Sequence, residues 1–236
     1  MAPALGATAL GAAALGVAAR GAGAQAARGG LVLTLPTSAR ALGLAGAADA
    51  AGPGEWAVFT APGQLAGEPP SAAAATEGYL ASTRLSAAAV AVPAFGGTLG
   101  LGATLLDYGS VDEIASSIPG VDGTATGRTY LAQDNAVVVA YARRACRACR
   151  AGGLRVGGAV ELVNTRVADL TGSAVAVSAS AGWAVRPGWD VTAGVAHAGP
   201  DIALGATRGA LPLTASVSAV APAWRAWGWS VRPMLD

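Results

Sequence analysis

The chain has 236 residues, 53% of them hydrophobic and only 12% charged, with a mean hydropathy of +0.48. A net charge of +1, in which every basic residue is arginine, lacks the basic excess that a nucleic-acid surface needs. A single histidine, His197, and one cysteine pair narrow metal and redox chemistry further.

Residues 1–26, "MAPALGATALGAAALGVAARGAGAQA", read as a secretory signal peptide, with a small apolar core followed by the small-x-small site Ala24-Gln25-Ala26. No basic residue precedes the apolar run, so the start amine or an upstream start supplies the charge. A membrane anchor or a buried alanine-rich helix is the alternative. Further on, "LSAAAVAVPAFGGTLGLGATLL" (85–106) is uncharged and long enough to imitate a membrane helix. Pro93 and the glycine pair Gly96-Gly97 break it into two segments of the length of a membrane-crossing strand.

The remaining segments alternate with a period of two. "LRVGGAVELVNTRV" places Leu154, Val156, Val160 and Leu162 on one face and Arg155, Ala159, Glu161 and Thr165 on the other. "SAVAVSASAGW" sets Val175, Val177 and Trp183 against Ser178 and Ser180. After the Pro187-Gly188 turn, Trp189, Val191, Ala193 and Val195 oppose Asp190, Thr192, Gly194 and Ala196. "LPLTASVSAVA" sets Leu211, Leu213 and Val217 against Thr214, Ser216 and Ser218. The connections read as a short turn at 93–97, a long loop at 108–128, a turn at 144–153, loops at 166–172 and 199–210, and a link near Pro222. Alternating short and long connections, with Trp183, Trp189, Trp224, Trp227 and Trp229 at strand ends, are the pattern of an outer-membrane barrel with an aromatic girdle. A soluble sandwich packing the same tryptophans in its core is the alternative.

Taken together and in order, "LPTSARALGLAGAADA" (35–50), "LDYGSVDE" (106–113), "QDNAVVVAYARR" (133–144), "LRVGGAVELVNTRV" (154–167), "HAGPDIALG" (197–205) and "LPLTASVSA" (211–219) resemble the PorV/PorQ family of outer-membrane barrels, relatives of the FadL-type fatty-acid channels. The likeness runs from about residue 33 to 223. It implies an all-β fold, an antiparallel up-and-down transmembrane β-barrel with a short N-terminal luminal hatch. The chain then divides into signal peptide (1–26), hatch or plug (27–70) and barrel strands (71–236). The hatch motif implied by the resemblance falls on Arg40, Gly43, Gly46 and Pro62; the family's asparagine is absent from "FTAPGQLAG" (59–67). Family barrels continue through further strands, so the expected sheet is incomplete and open, or else a small barrel closed by fewer strands. "SAAAATEG" (71–78), poor in β-branched residues, and Pro233 near the end are weak sealing edges.

Chemistry-bearing residues are sparse. Cys146 and Cys149, in "RRACRACRAG", read as a local disulfide or free thiols; Arg150 stands where a haem-binding motif needs histidine. The arginines around them, Arg143, Arg144, Arg147 and Arg150, read as a solvated basic turn. His197 shares parity with Val195 and is expected at a strand end near the interface, without a serine partner on its own strand. Asp107, Asp112, Glu113 and Asp122 read as a solvated acidic loop, and Ser178 as a luminal position tolerant of charge. No cofactor, metal or catalytic residue is expected. The resemblance implies a non-enzymatic role, either as an accessory of type IX protein secretion that holds exported cargo or as a conduit for hydrophobic compounds. Outer-membrane lipid is then a partner, joined by secretion-system proteins, cargo or hydrophobic small molecules; the rival reading is a secreted soluble all-β binding or structural module. The signal predicts a mature N-terminus at Ala27, checked by mass spectrometry of the membrane form; retention of Met1 would contradict it.

Overall fold

The computed structural model describes residues 29–43, 54–79, 82–115, 123–145, 153–226, 229–231 and 234–235. The signal segment, Gly46, Asp122, Cys146, Cys149 and Trp227 lie outside them, as do the side chains of Trp224 and Trp229. The strands are β1 (Ser71–Gly78), β2 (Arg84–Ala94), β3 (Gly97–Ala115), β4 (Thr124–Arg144), β5 (Leu154–Val167), β6 (Leu170–Arg186), β7 (Trp189–Ala198), β8 (Ile202–Leu204), β9 (Thr207–Gly209), β10 (Thr214–Val220), β11 (Trp224–Ala226), β12 (Trp229–Val231) and β13 (Met234–Leu235). One nine-stranded antiparallel sheet runs β1-β2-β3-β4-β5-β6-β7-β10-β13, and β8-β9 and β11-β12 are separate hairpins. The fold is mostly antiparallel β-sheet. Among the described residues no hydrogen-bonded seam joins β1 to β13.

Several connections differ from their sequence reading. The loop expected over 108–128 is largely strand, because β3 and β4 stay paired past two register shifts as far as Ala115↔Thr124. The loop expected over 166–172 shrinks to a tight turn at Ala168 and Asp169, with Val167 opposite Leu170 and Ala168 at φ 54. The 199–210 connection contains the β8-β9 hairpin. "SAAAATEG" forms the edge strand β1, since its full-length ladder with β2 outweighs alanine's weak strand preference.

Alternation sorts the sheet into a covered face and a bare one. On β5, Ala159, Glu161 and Val163 are buried while Val160 and Leu162 are exposed; on β6, Ala174, Ala176, Ser178 and Ser180 are buried while Val175, Val177 and Trp183 are exposed. Leu211 departs from its expected face: it precedes β10 and is buried with Val163 and Ile202.

The N-terminal segment supplies the cover. Helix α1 (Ala39–Gly43) carries exposed Arg40, and a Cβ on Gly43 would meet open space. Helix α2 (Ala57–Thr60) and the 3-10 turn Pro62–Leu65 press Val58, Phe59 and Leu65 onto Ala89, Ala91, Val138, Ala140 and Ala159. Full burial of Val58 and of Leu65 contributes about 1.5–3 kcal/mol each. Upstream, Val32 packs on Leu85, Leu106, Ala136 and Val163, and the Gly29 N–H donates to the Ala210 carbonyl at 3.1 Å.

Small residues on the covered face are a steric requirement of this cover. A Cβ on Gly100 would lie 2.7 Å from Leu65 Cδ1, and one on Gly157 would lie 2.6 Å from the Gly63 nitrogen and the Pro62 carbonyl carbon. Pro62 itself is buried at the start of its turn. Leu65→Ala is expected to cost about 2–5 kcal/mol through the cavity it leaves. Gly157→Val should cost at least about 1–3 kcal/mol and increase protease cleavage within 54–70, because backbone has to move. Urea titration and limited proteolysis measure the two effects.

Candidate functional site

The covered face carries a polar column where β5, β6 and β7 meet the N-terminal segment. Glu161, 0% exposed, is its centre. Ser178 Oγ donates to Glu161 Oε1 at 2.5 Å, and His197 Nδ1 lies 2.7 Å from Glu161 Oε2. The His197 backbone N–H donates to Ser178 Oγ at 3.0 Å, closing a ring of three residues from three strands. Both carboxylate oxygens are thus satisfied, which offsets the desolvation of several kcal/mol that a lone buried carboxylate incurs.

His197 reaches this position through a β-bulge. While β6 advances from Val177 to Ala179, β7 advances from Ala198 back to Val195, so β7 carries one extra residue there. His197 sits in the bulge at φ 59, a left-handed conformation unusual for a side chain other than glycine. The extra residue reverses the parity of His197 relative to Val195. His197 does stand at the end of β7, but the expectation that it shares the face of Val195 is corrected: His197 is 8% exposed and partnered by a serine and a glutamate on neighbouring strands. Ser178 is corrected as well, being 4% exposed and engaged with Glu161, so a charge there would be buried.

The geometry limits the chemistry. In a nucleophilic triad an imidazole stands between hydroxyl and carboxylate to take the hydroxyl proton. Here the carboxylate stands between hydroxyl and imidazole, and Ser178 meets His197 only through its backbone N–H. The cluster holds three strands together and ties a proton-binding side chain to a bulge.

Two further contacts extend the column. The Arg155 guanidinium bonds both carboxylate oxygens of Asp190 at 2.5 Å, an ion pair between β5 and β7 across β6. The Gly63 N–H donates to Ser180 Oγ at 2.8 Å, and the Gln64 amide donates to Thr192 Oγ1, pinning the 3-10 turn to β6 and β7.

The acidic residues gather differently from their sequence reading. Asp107 Oδ1 accepts the Gly109 N–H at 2.9 Å, and Glu113 accepts from Thr126 and Tyr130 across the β3-β4 extension. Those hydroxyls, Thr126 first, hold the Glu113 carboxyl below the usual carboxylate range. Among the described residues no three His, Cys, Asp or Glu side chains are grouped to hold a metal ion.

Sequence parity placed Glu161 and Ser178 on the polar face correctly and missed their joining to His197. The missing signal was the bulge, which only the β6-β7 register reveals. No protein-family model matches the chain, and no curated protein matches it.

His197→Ala is expected to destabilise the sheet by about 3–5 kcal/mol by removing one partner of a buried carboxylate. Replacing both residues, Glu161→Leu with His197→Leu, should recover most of that loss, because no buried charge is then stranded. Denaturant unfolding of the two variants checks the pair.

Proposed function

We propose that the chain is a non-enzymatic outer-membrane β-barrel-type protein resembling the PorV/PorQ family, with its bare face in lipid and its N-terminal segment as a luminal hatch. The observation that carries this reading is the cross-strand registration of the bare face. Val90, Leu101, Val139, Val160 and Val177 are successive partners across β2 to β6, each between 39% and 54% exposed. The adjacent row is Ala88, Ala103, Val137, Leu162 and Val175.

On the same face this band gives way to two largely polar rows. Ser86, Asn135, Asn164 and Ser173 form the first, interrupted by the exposed Leu105 of β3, with Asn164 donating to Asn135 at 3.1 Å. Arg84, Asp107, Gln133, Arg166 and Thr171 form the second. At the opposite end stand exposed Trp183, Trp189 and Phe95. Along β6 the apolar parity runs from Val175 to Val185, about 33 Å of strand at ~3.3 Å per residue. A strand tilt of ~40° reduces that to about 25 Å, the height of the apolar band of outer-membrane barrels. A soluble sandwich would bury such a band beneath a second sheet.

Of the two roles that the resemblance implies, holding exported cargo for type IX secretion fits better than conducting hydrophobic compounds. Residues 54–70 cover the part of that face formed by Ala89, Ala91, Val138, Ala140 and Ala159, along which a solute would pass. Conduction requires that segment to leave Ala/Gly-lined sites where Val58 and Leu65 are fully buried; cargo holding does not.

Val160→Arg should cost about 2–4 kcal/mol in bilayer folding assays, whereas Thr171→Arg, in the polar row, should cost about 0–1 kcal/mol. The chain should resist extraction from outer membranes by salt or alkali and require detergent. Release without detergent, or equal cost at the two positions, would support the secreted soluble module instead.

A further inference from the structure

The polar rows that bound the apolar band lie on the band's own face, and their charges are unevenly arranged. Arg84 on β2 stands directly opposite Asp107 on β3, so that cation faces a carboxylate across the strand pair. Arg166 on β5 has no such neighbour: it stands opposite Gln133 on β4 and Thr171 on β6. The Arg166 side chain is exposed, and its Nε donates to the Ala168 carbonyl at 3.3 Å. That bond holds the guanidinium beside the β5-β6 turn and leaves its two Nη groups without a partner among the described residues.

Neutral donors surround that free fork. In the adjoining row Asn164 donates to Asn135 Oδ1, so the Asn135 amide nitrogen is left to donate outward, and the exposed Ser173 stands opposite Asn164. Neighbouring strands are about 4.8 Å apart, and residues two apart on a strand about 6.6 Å, so Gln133, Asn135, Arg166, Thr171 and Ser173 lie within reach of one headgroup. The two rows hold no carboxylate on β4, β5 or β6. Of the acids that border them, Asp107 Oδ1 accepts the Gly109 N–H at 2.9 Å, and Asp169 forms no ion pair with Arg166. An uncompensated guanidinium among neutral donors suits an anion whose oxygens take several hydrogen bonds, and arginine's fork matches a phosphate. A headgroup that adds an ammonium finds no acid here to meet it. Next along the same face come Val137, Leu162 and Val175, then Val139, Val160 and Val177, each between 47% and 54% exposed. They give acyl chains an apolar path that starts at the phosphate.

We propose that the Arg166 rim of β4, β5 and β6 is a binding site for the phosphate of an anionic glycerophospholipid, whose acyl chains lie along the valine rows of the same strands. This rests on the membrane reading above and adds to it a specific lipid chemistry and the residue that selects it. The polar rows then select a lipid as well as bounding the band.

The test uses the full chain reconstituted into vesicles of phosphatidylcholine alone or doped with phosphatidylglycerol. Flotation shows insertion, and native mass spectrometry counts lipids kept after mild detergent extraction. Phosphatidylglycerol should be retained about tenfold over phosphatidylcholine, the effect of one charge-assisted contact. Arg166→Gln should abolish that preference and Arg166→Lys, a point charge without the fork, should keep part of it. Asn135→Asp, which preserves side-chain size and places a negative charge in the patch, should also abolish it. Arg84→Gln should leave it intact, because Arg84 is three strands away, farther than a Debye length of about 8–10 Å. Circular dichroism of each variant confirms the sheet, and Asn135→Asp keeps the test decisive if Arg166→Gln disturbs folding. Equal retention of the two lipids by a chain that floats, an equal loss in Arg84→Gln, or displacement of the lipid by inorganic phosphate at matching concentration would each overturn the proposal. Failure to float with neutral vesicles would instead end the membrane reading, and this inference with it.

Discussion

The structure depends on one constraint, the continuous antiparallel ladder from β1 through β7 to β10, broken only locally by register shifts between β3 and β4 and between β6 and β7. A strand's side chains alternate between faces, so a ladder kept in register turns every strand's alternation into one property of a whole surface. Slippage by one residue at any pair would mix valine with glycine and serine on both sides. Because the pairs hold, one surface is mostly alanine, glycine and polar residues with Leu85, Leu106, Val138 and Val163 among them, and the other is rich in valine, leucine and tryptophan. Each surface then needs its own partner.

The small-residue surface finds its partner within the chain. Alanine and glycine on a sheet bury little area themselves, but they let Val58, Phe59, Pro62 and Leu65 approach the backbone closely. The contact is therefore tight and steric, with Gly63 and Gln64 adding hydrogen bonds to Ser180 and Thr192 that fix its position. Glu161 lies within this covered region, where an unpartnered charge could not persist. Ser178 and His197 are needed there as much by electrostatics as by any function, and the bulge at His197 is the backbone's means of delivering the imidazole. Sub-optimal φ at one residue, of order 1–3 kcal/mol, is offset by the partner it gives to a buried carboxylate.

The valine-rich surface is left bare among the described residues, and its limits carry as much information as its apolarity. Apolar residues scattered on a soluble surface would not give way to polar ones in the same cross-strand row on four of five neighbouring strands. Here Asn135, Asn164 and Ser173 fall in one cross-strand row, followed by Gln133, Arg166 and Thr171 in the next. The shared cross-strand row of those limits is a property of pairing, and it is the observation on which the proposal of a lipid-facing surface rests.

Sequence alone determined that the chain is built from strands, which residues of β5, β6 and most of β7 share a face, and where the tight turns at Phe95-Gly96 and Pro187-Gly188 fall. Those features are local: period-two alternation and turn chemistry need only a few consecutive residues. Tertiary structure decided what depends on partners distant in sequence. It extended β3 and β4 into a segment polar enough to read as loop, because two polar strands can satisfy each other's backbone. Alanine-rich 71–78 became a strand because β2 was there to pair with it, and Leu211 was buried by the approach of residues 29–33 and the β8-β9 hairpin. His197 moved from the bare face to the covered one because parity counted from Val195 assumes a regular strand, and a single inserted residue, visible only against β6, reverses every side chain beyond it.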